Sequence, residues 1–269
     1  MIDSHSHIYT ERYQDDRDAV IARAVAAGVT QLLQVVCDLE ESQSVVALSA
    51  RVAGIYAAVG VHPHQATTVE SNVLDALEAL LHHPKVLAWG EIGLDFYYDH
   101  SPRDVQQQAF VAQLQRAIQY DVPVVIHTRE AERATLDLLQ DYPVPRFGHV
   151  HCFTGTPAMA EQLLAMGFYI GFTGIVSFPK ADNVHAAVRV VPLERLLIET
   201  DSPYLAPLPY RGRRNEPAFV RHVAEAIAHV KGVPVEDVVH YSTQNFYRLY
   251  GKANMTWELL NANAIEPCQ

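Results

Sequence analysis

Two imidazoles separated by a single residue open the chain: His5 and His7 in the stretch MIDSHSHIYT. Side chains alternate along a strand, so if residues 2–5 end a strand, both rings face one way and two neutral nitrogens converge. That arrangement suits a metal ion. A His-x-His pair near a terminus is also common without any metal, so the rest of the sequence has to supply the other ligands. Fourteen histidines are present, and neutral imidazole is the commonest side-chain metal ligand.

The elements that would carry such ligands alternate as strand then helix, about eight times. Apolar runs predict strands over 1–5, 30–36, 54–61, 86–92, 122–127, 147–151, 168–171 and 193–200. Amphipathic stretches predict helices over 16–27, 73–82, 104–119, 131–141 and 157–166, with Gly28, Gly167 and Pro123 at the junctions where helix gives way to strand. Strands buried on both faces and separated by helices imply a parallel sheet. Eight units imply closure into a (β/α)8 TIM barrel, with a doubly wound open sheet as the alternative.

A barrel gathers the C-terminal ends of its strands at one mouth, so the placement of polar residues tests the idea. His5 and His7 end the first strand, His62 and His64 follow the third, and Glu91 ends the fourth. His127 ends the fifth, His151 the sixth and Asp201 the eighth. All fall on one rim. His82, His83, His185, His222 and His229 lie on expected helix surfaces and are read as solvated or packing residues.

Composition sets the outer bounds. A chain of 269 residues could form two ordinary domains or one barrel. With 49% hydrophobic and 19% charged residues it can bury a large core, and no apolar run reaches the length of a membrane span. The beginning of the chain lacks the basic and apolar regions of a signal peptide, and Cys37, Cys152 and Cys268 cannot all pair within one chain, so a cytoplasmic setting is expected. Lys plus Arg number 20 against 31 Asp plus Glu, a net charge of −11 that disfavours tight nonspecific binding to duplex nucleic acid. A local pocket of metal ions and arginines inside that acidic envelope is still compatible with a nucleic-acid end.

The motifs DSHSH, GVHPH, GEIGLDFYYD, VIHTRE, HCF, IETDSP, RGRRNEP and NFYRLYG follow one another in that order. Together they make residues 1–251 resemble the TatD family of metal-dependent deoxyribonucleases in the amidohydrolase superfamily. The resemblance implies a single TIM-barrel hydrolase domain over 1–251, and residues 252–269 are an extension with no counterpart in it. It also implies two divalent ions, magnesium, manganese or zinc. His5, His7, Glu91 and Asp201 would surround one ion, and Glu91, His127 and His151 the other, with Glu91 bridging. Asp201 would orient or deprotonate the attacking water, and His62 and His64 would contact the scissile phosphate or leaving group, His62 being the nearer to its strand end.

Other residues on the expected rim admit two readings. Glu199, two residues before Asp201, is either a structural carboxylate or a hydrogen-bonding partner of a ligand histidine. Arg129, Arg211, Arg213, Arg214 and Asn215 lie in rim loops where guanidinium groups could hold phosphate oxygens. Tyr97, Tyr98, Phe153, Phe178 and Tyr204 could stack bases or simply pack their own loops. Cys152 follows a ligand candidate, but strand alternation turns it away, and it is read as a small packing residue.

The expected activity is 3′ to 5′ exonuclease cleavage of single-stranded DNA ends by a monomer, since an end-directed enzyme needs no long basic groove. The alternatives are hydrolysis of another ester or amide, such as deacylation of a misacylated transfer RNA, and a barrel that binds metal or a partner without catalysis.

Overall fold

A computed structural model describes residues 1–253. Eight strands pair in sequence order, and every pairing is parallel. They are β1 (Ile2–Ser6), β2 (Gln31–Gln34), β3 (Ile55–Val59), β4 (Val86–Asp95), β5 (Val124–Arg129), β6 (Gly148–Val150), β7 (Tyr169–Phe172) and β8 (Leu196–Ile198). The first strand meets the last through a parallel bridge at Ser6 and Ser202, with the His7 N–H donating to the Ser202 carbonyl at 2.8 Å and the Asp201 N–H to that of His5 at 2.9 Å. Those bonds close the barrel that the eightfold alternation implies.

Outside the strands lie α1 (Arg17–Ala26), α2 (Leu39–Arg51), α3 (Ser71–Leu80), α4 (Arg103–Gln119), α5 (Glu132–Asp141), α6 (Pro157–Ala165), α7 (Asp182–Val190) and α8 (Val220–Lys231). Their starts follow local chemistry. Asp38 caps α2 by accepting from the Glu41 N–H, and Thr156 caps α6 by accepting from the Met159 N–H, with Pro157 in the first turn.

Strand residues divide by alternation into two cores. Leu32, Ile55, Ala57, Val59, Val124, Ile126, Ile170, Leu196 and Ile198 pack outward against the helices. Leu33, Val35, Tyr56, Ala58, Val125, Tyr169 and Leu197 form an inner cluster with Phe246 and Leu249 of a further helix, α9 (Val235–Leu249), and with Tyr250 just beyond it. α9 therefore closes the barrel at the end where the strands begin. Its polar residues complete the seal: Ser242 accepts from the Ile198 N–H at 3.0 Å, and Asn245 donates to the carbonyls of Leu193 and Leu196 at 2.7 and 2.9 Å. Phe246 is fully buried there. Phe246→Ala is expected to lower unfolding free energy by about 3–5 kcal/mol, as read from denaturant titration, because the rigid inner cluster cannot collapse into the space.

Several boundaries shift by one or two residues, and those of β4 and β8 shift furthest. β4 continues to Asp95, three residues beyond the 86–92 reading, and Glu91, Gly93 and Asp95 share a period of two along it. β8 is confined to Leu196–Ile198, because residues 193–195 form a 3₁₀ turn and Thr200 is drawn off the ladder by the Asp3 carboxylate. Lys252 and Ala253, at the start of the expected extension, already belong to the barrel floor. Lys252 donates to the carbonyls of His83 and Val86 at 2.9 Å each, and Ala253 is buried in the inner cluster. Residues 254–269, including Cys268, lie outside the described residues.

Candidate metal centre

The inner cluster ends where the inward positions turn polar. Two residues beyond Val125 comes His127, and two beyond Leu197 comes Glu199, while His149 and His151 are spaced by two in and after β6. Two glycines make room for this layer. A Cβ on Gly171 would stand 2.5 Å from Glu199 Oε2, and one on Gly93 would stand 2.0 Å from the His127 carbonyl oxygen. Gly171 thus leaves space for a buried carboxylate, and Gly93 lets β4 lie close beside the strand bearing His127.

Glu91 sits at the centre of the mouth and is 2% exposed. Its Oε1 lies 2.7 Å from His151 Nε2, 2.9 Å from His127 Nδ1 and 3.5 Å from His62 Nε2, while its Oε2 lies 3.3 Å from His5 Nε2. Asp201 Oδ1 stands 3.3 Å from His7 Nε2 and 3.7 Å from His5 Nε2. Burial alone would push the Glu91 carboxyl up, but His151, His62 and His5 around it hold it well below the usual carboxylate range. Burial lowers His5 to about 3 and His62 to about 4, so both rings are neutral at physiological pH and present lone pairs.

These residues fit divalent cations, on two observations. His5 Nε2 and His7 Nε2 approach within 3.1 Å, as do His127 Nδ1 and His151 Nε2, and imidazole nitrogens pointed at one another beside carboxylates are donors with a common target. His5 Nδ1 and His151 Nδ1 are also buried with no hydrogen-bond partner, so neither ring is engaged as an ordinary core histidine would be. Metal-compatible donor groups of three are formed by His5, His7 and Glu91, by His5, His151 and Asp201, and by His62, Glu91 and His127. A further group joins His5 to His149 and Glu199 on the barrel side of the mouth.

Asp95, His149 and the environment of Glu199 extend the site beyond the sequence reading. Asp95 Oδ2 lies 3.2 Å from His127 Nε2 and 2.9 Å from His64 Nε2, while its Oδ1 accepts from the N–H groups of Tyr97 and Tyr98. A carboxylate on one ring nitrogen fixes the orientation of the other, which here faces Glu91. Burial works against a charged His127, yet its bonds to Asp95 and Glu91 raise it to about 9. Asp95→Asn is expected to weaken metal affinity by about 10–100-fold, checked by metal titration of the chelator-treated protein. Glu199, fully buried, accepts from the N–H of Cys152 and from Ser4 Oγ at 3.3 Å, and lies 3.4 Å from His149 Nε2 and 3.8 Å from His151 Nδ1. It thus neighbours a ligand candidate as well as tying the barrel wall. Cys152 Sγ faces Thr173 Oγ1 at 3.5 Å and joins none of the donor groups found among the described residues.

The basic loop after β8 divides. Arg214 is held by Asp16 at 2.7 Å, and Asn215 is fully buried, its amide donating to the carbonyls of Thr200 and Tyr204 at 2.8 and 2.6 Å. Asn215 therefore shapes the loop and presents no amide to the mouth. Arg213 is exposed, and Arg211 lies over Phe178 with 4.2 Å between guanidinium carbon and ring centre. Arg129 lies over Tyr97 and Tyr98 at 4.2 and 4.7 Å. Phe153 is buried in the outer core. A cavity of about 510 Å³ is lined by His185 of α7 and by His222 and His229 of α8. His185 is bonded to the Val176 carbonyl and His222 to Glu225, so this cleft lacks the converging donors of the mouth.

Comparison with known proteins finds relatives over nearly the whole described chain. The family model "TatD related DNase" matches residues 2–251. The metal-dependent hydrolase YcfH of Escherichia coli K12, named as uncharacterized, is 41% identical over 254 residues, covering 93% of this chain and 95% of the relative. The 3′-5′ ssDNA/RNA exonuclease TatD of Citrobacter koseri is 37% identical over 259 residues, covering 94% and 100%. Among solved structures, the TatD homologue YjjV of E. coli superposes with a TM-score of 0.89 at 30% identity, covering 93% of this chain and 98% of that one. With its barrel fold and nearly its whole described length matched, the chain belongs to the TatD-related DNase family.

Proposed function

We propose that this chain is a metal-dependent hydrolase that removes nucleotides from the 3′ end of single-stranded DNA, with residues 1–251 acting as one catalytic unit in a monomer. The observation that carries the reading is the convergence of His5, His7, His62, His127 and His151 on Glu91 and Asp201 at one barrel mouth. The name of the C. koseri relative supports the polarity and the single strand. The net charge of −11 supports an end-directed enzyme over one that grips long duplex.

His5, His7, Glu91 and Asp201 would hold one divalent ion, and Glu91, His127 and His151 a second, with Glu91 shared. Such ions, when bound, supply Lewis acidity to a water and to phosphoryl oxygens. Asp201 receives the proton of the attacking water. His62, neutral and 3.5 Å from Glu91, faces the scissile phosphate, and His64, tied to Asp95, braces the leaving side. Arg129, Arg211 and Arg213 anchor backbone phosphates by charge and so without sequence preference. Asn215 serves them indirectly, by fixing the loop from which Arg211 and Arg213 project.

Chelator-stripped protein incubated with single strands labelled at the 5′ or 3′ end, with magnesium, manganese or zinc restored in turn, tests the reading. The expected result is stepwise shortening from the 3′ end, dependent on added metal. Cleavage without metal, or no shortening with any of the three, would reject it.

A further inference from the structure

Three arginines on the rim differ from the ion-paired arginines of the described chain, while Arg195, which also lies on a ring, Tyr169, without an ion pair, sits before β8 at the opposite end of the barrel. Arg23, Arg116 and Arg214 are locked to carboxylates at 2.7 Å, 2.9 Å and 2.7 Å. Arg12, Arg129 and Arg211, among the described residues, make no ion pair and lie instead on aromatic rings: Arg12 on Tyr204 at 5.0 Å, Arg129 on Tyr97 and Tyr98, and Arg211 on Phe178. The tyrosines remain open, with Tyr97 53%, Tyr98 50% and Tyr204 47% exposed. Tyr98 also stacks on His100 at 5.5 Å, and rings so exposed still offer flat apolar surface to a ligand. An unpaired guanidinium laid on an open ring keeps its edge N–H groups free for phosphate and adds a second flat surface for a base.

Their placement around the barrel is ordered. Tyr97, Tyr98 and Arg129 follow or end β4 and β5, whereas Tyr204 and Arg12 follow β8 and β1. In a barrel whose eight strands run in sequence order, positions four apart are opposite, so these two stacks face each other across the mouth. Both adjoin histidines of the mouth. The Tyr98 ring centre is 5.5 Å from that of His64, and the Tyr204 ring centre is 6.5 Å from that of His7. The backbone behind each ring is fixed by a buried polar group, Asp95 receiving the Tyr98 N–H at 2.8 Å and Asn215 donating to the Tyr204 carbonyl.

We infer that the Tyr97/Tyr98–Arg129 and Tyr204–Arg12 stacks are two nucleobase posts that grip a single strand on opposite sides of the scissile phosphate. This inference rests on the nuclease reading and deepens it by assigning the path of the substrate. Bases of a single strand have free π faces, whereas those of a duplex are already stacked and paired, so the posts select single strands without reading sequence. The Arg211–Phe178 stack, after β7 and β8, continues the path on the Tyr204 side.

A short phosphorothioate-linked strand carrying 2-aminopurine, whose fluorescence falls on stacking, reads the posts directly and without cleavage. Parent protein should bind it and quench it, and the same strand annealed to its complement should bind more weakly. Tyr204→Leu and Tyr98→Leu should each raise Kd by roughly 5- to 150-fold, the range expected for loss of one base–aromatic stack. Tyr204→Phe should restore both affinity and quenching, and circular dichroism monitors the fold of each variant. Folded leucine variants that bind as tightly as a parent that itself binds and cleaves single strands would overturn the posts and leave the nuclease reading standing. A parent that neither binds nor cleaves single strands with any metal would overturn both.

Discussion

Replacing Glu91 with alanine is expected to strip the mouth of metal and to lower turnover by roughly 10³-fold or more, the equivalent of several kcal/mol of transition-state stabilisation. Four imidazoles lie between 2.7 and 3.5 Å from this carboxylate. Among the described residues no other acid is placed to serve all four, because Asp95 serves His64 and His127 from behind, Glu199 lies on the barrel side, and Asp201 faces His5 and His7. The fold should persist, since the two apolar cores hold the barrel without help from the mouth. Elemental analysis, an end-labelled cleavage assay and circular dichroism check the three parts separately. Glu91→Gln sharpens the result: it keeps the shape and removes the charge, so metal should be lost almost as fully. Parent-like activity in either variant would sink the central role of Glu91, and global unfolding would show that the cluster is structural.

The sequence carries this centre in a legible form because a parallel barrel converts a one-dimensional rule into a place. Once apolar runs are recognised as strands, the first polar residues after them must share the mouth, and His5, His62, Glu91, His127, His151 and Asp201 are found together there. Asp95 escapes that reading for a local reason. Gly93 looks like the end of a strand, yet it is the point where β4 passes close to His127, and the period of two runs on through it to Asp95. Following Glu91, Gly93 and Asp95 as one face is the signal that could have found it. His149 is hidden by being inside its strand, where an isolated imidazole resembles a packed core residue. Its Nδ1 bond to the Tyr250 hydroxyl crosses 101 residues of sequence, which no local pattern reveals.

Loops are less legible than strands because they have no period. In RGRRN the polar residues look equivalent, but Arg214 turns to Asp16 and Asn215 turns inward, while Arg211 turns to Phe178. Nothing in the spacing separates them, since each orientation depends on a partner far away in sequence. The same holds for Arg12, whose aromatic partner Tyr204 comes from far along the chain, after β8.

Asp201 tests the chemistry most directly. It has a left-handed backbone, φ 55°, a conformation that asparagine tolerates as readily as aspartate. Asp201→Asn therefore keeps the turn, the size and one ligating oxygen, and removes the negative charge together with the capacity to take a proton as a carboxylate. Its side chain is 14% exposed against 3% for Glu91, so of the two it is the carboxylate open to an incoming water. Turnover is expected to fall by about 10²- to 10⁴-fold while single-strand affinity stays close to that of the parent. Single-turnover cleavage at saturating metal and substrate separates the two effects, and a metal titration shows whether one oxygen suffices for binding. A parent-like rate would move proton acceptance to His62, which burial keeps neutral and which lies on the opposite side of Glu91 from His5 in the donor groups. His62→Ala would then carry the loss that Asp201→Asn failed to show.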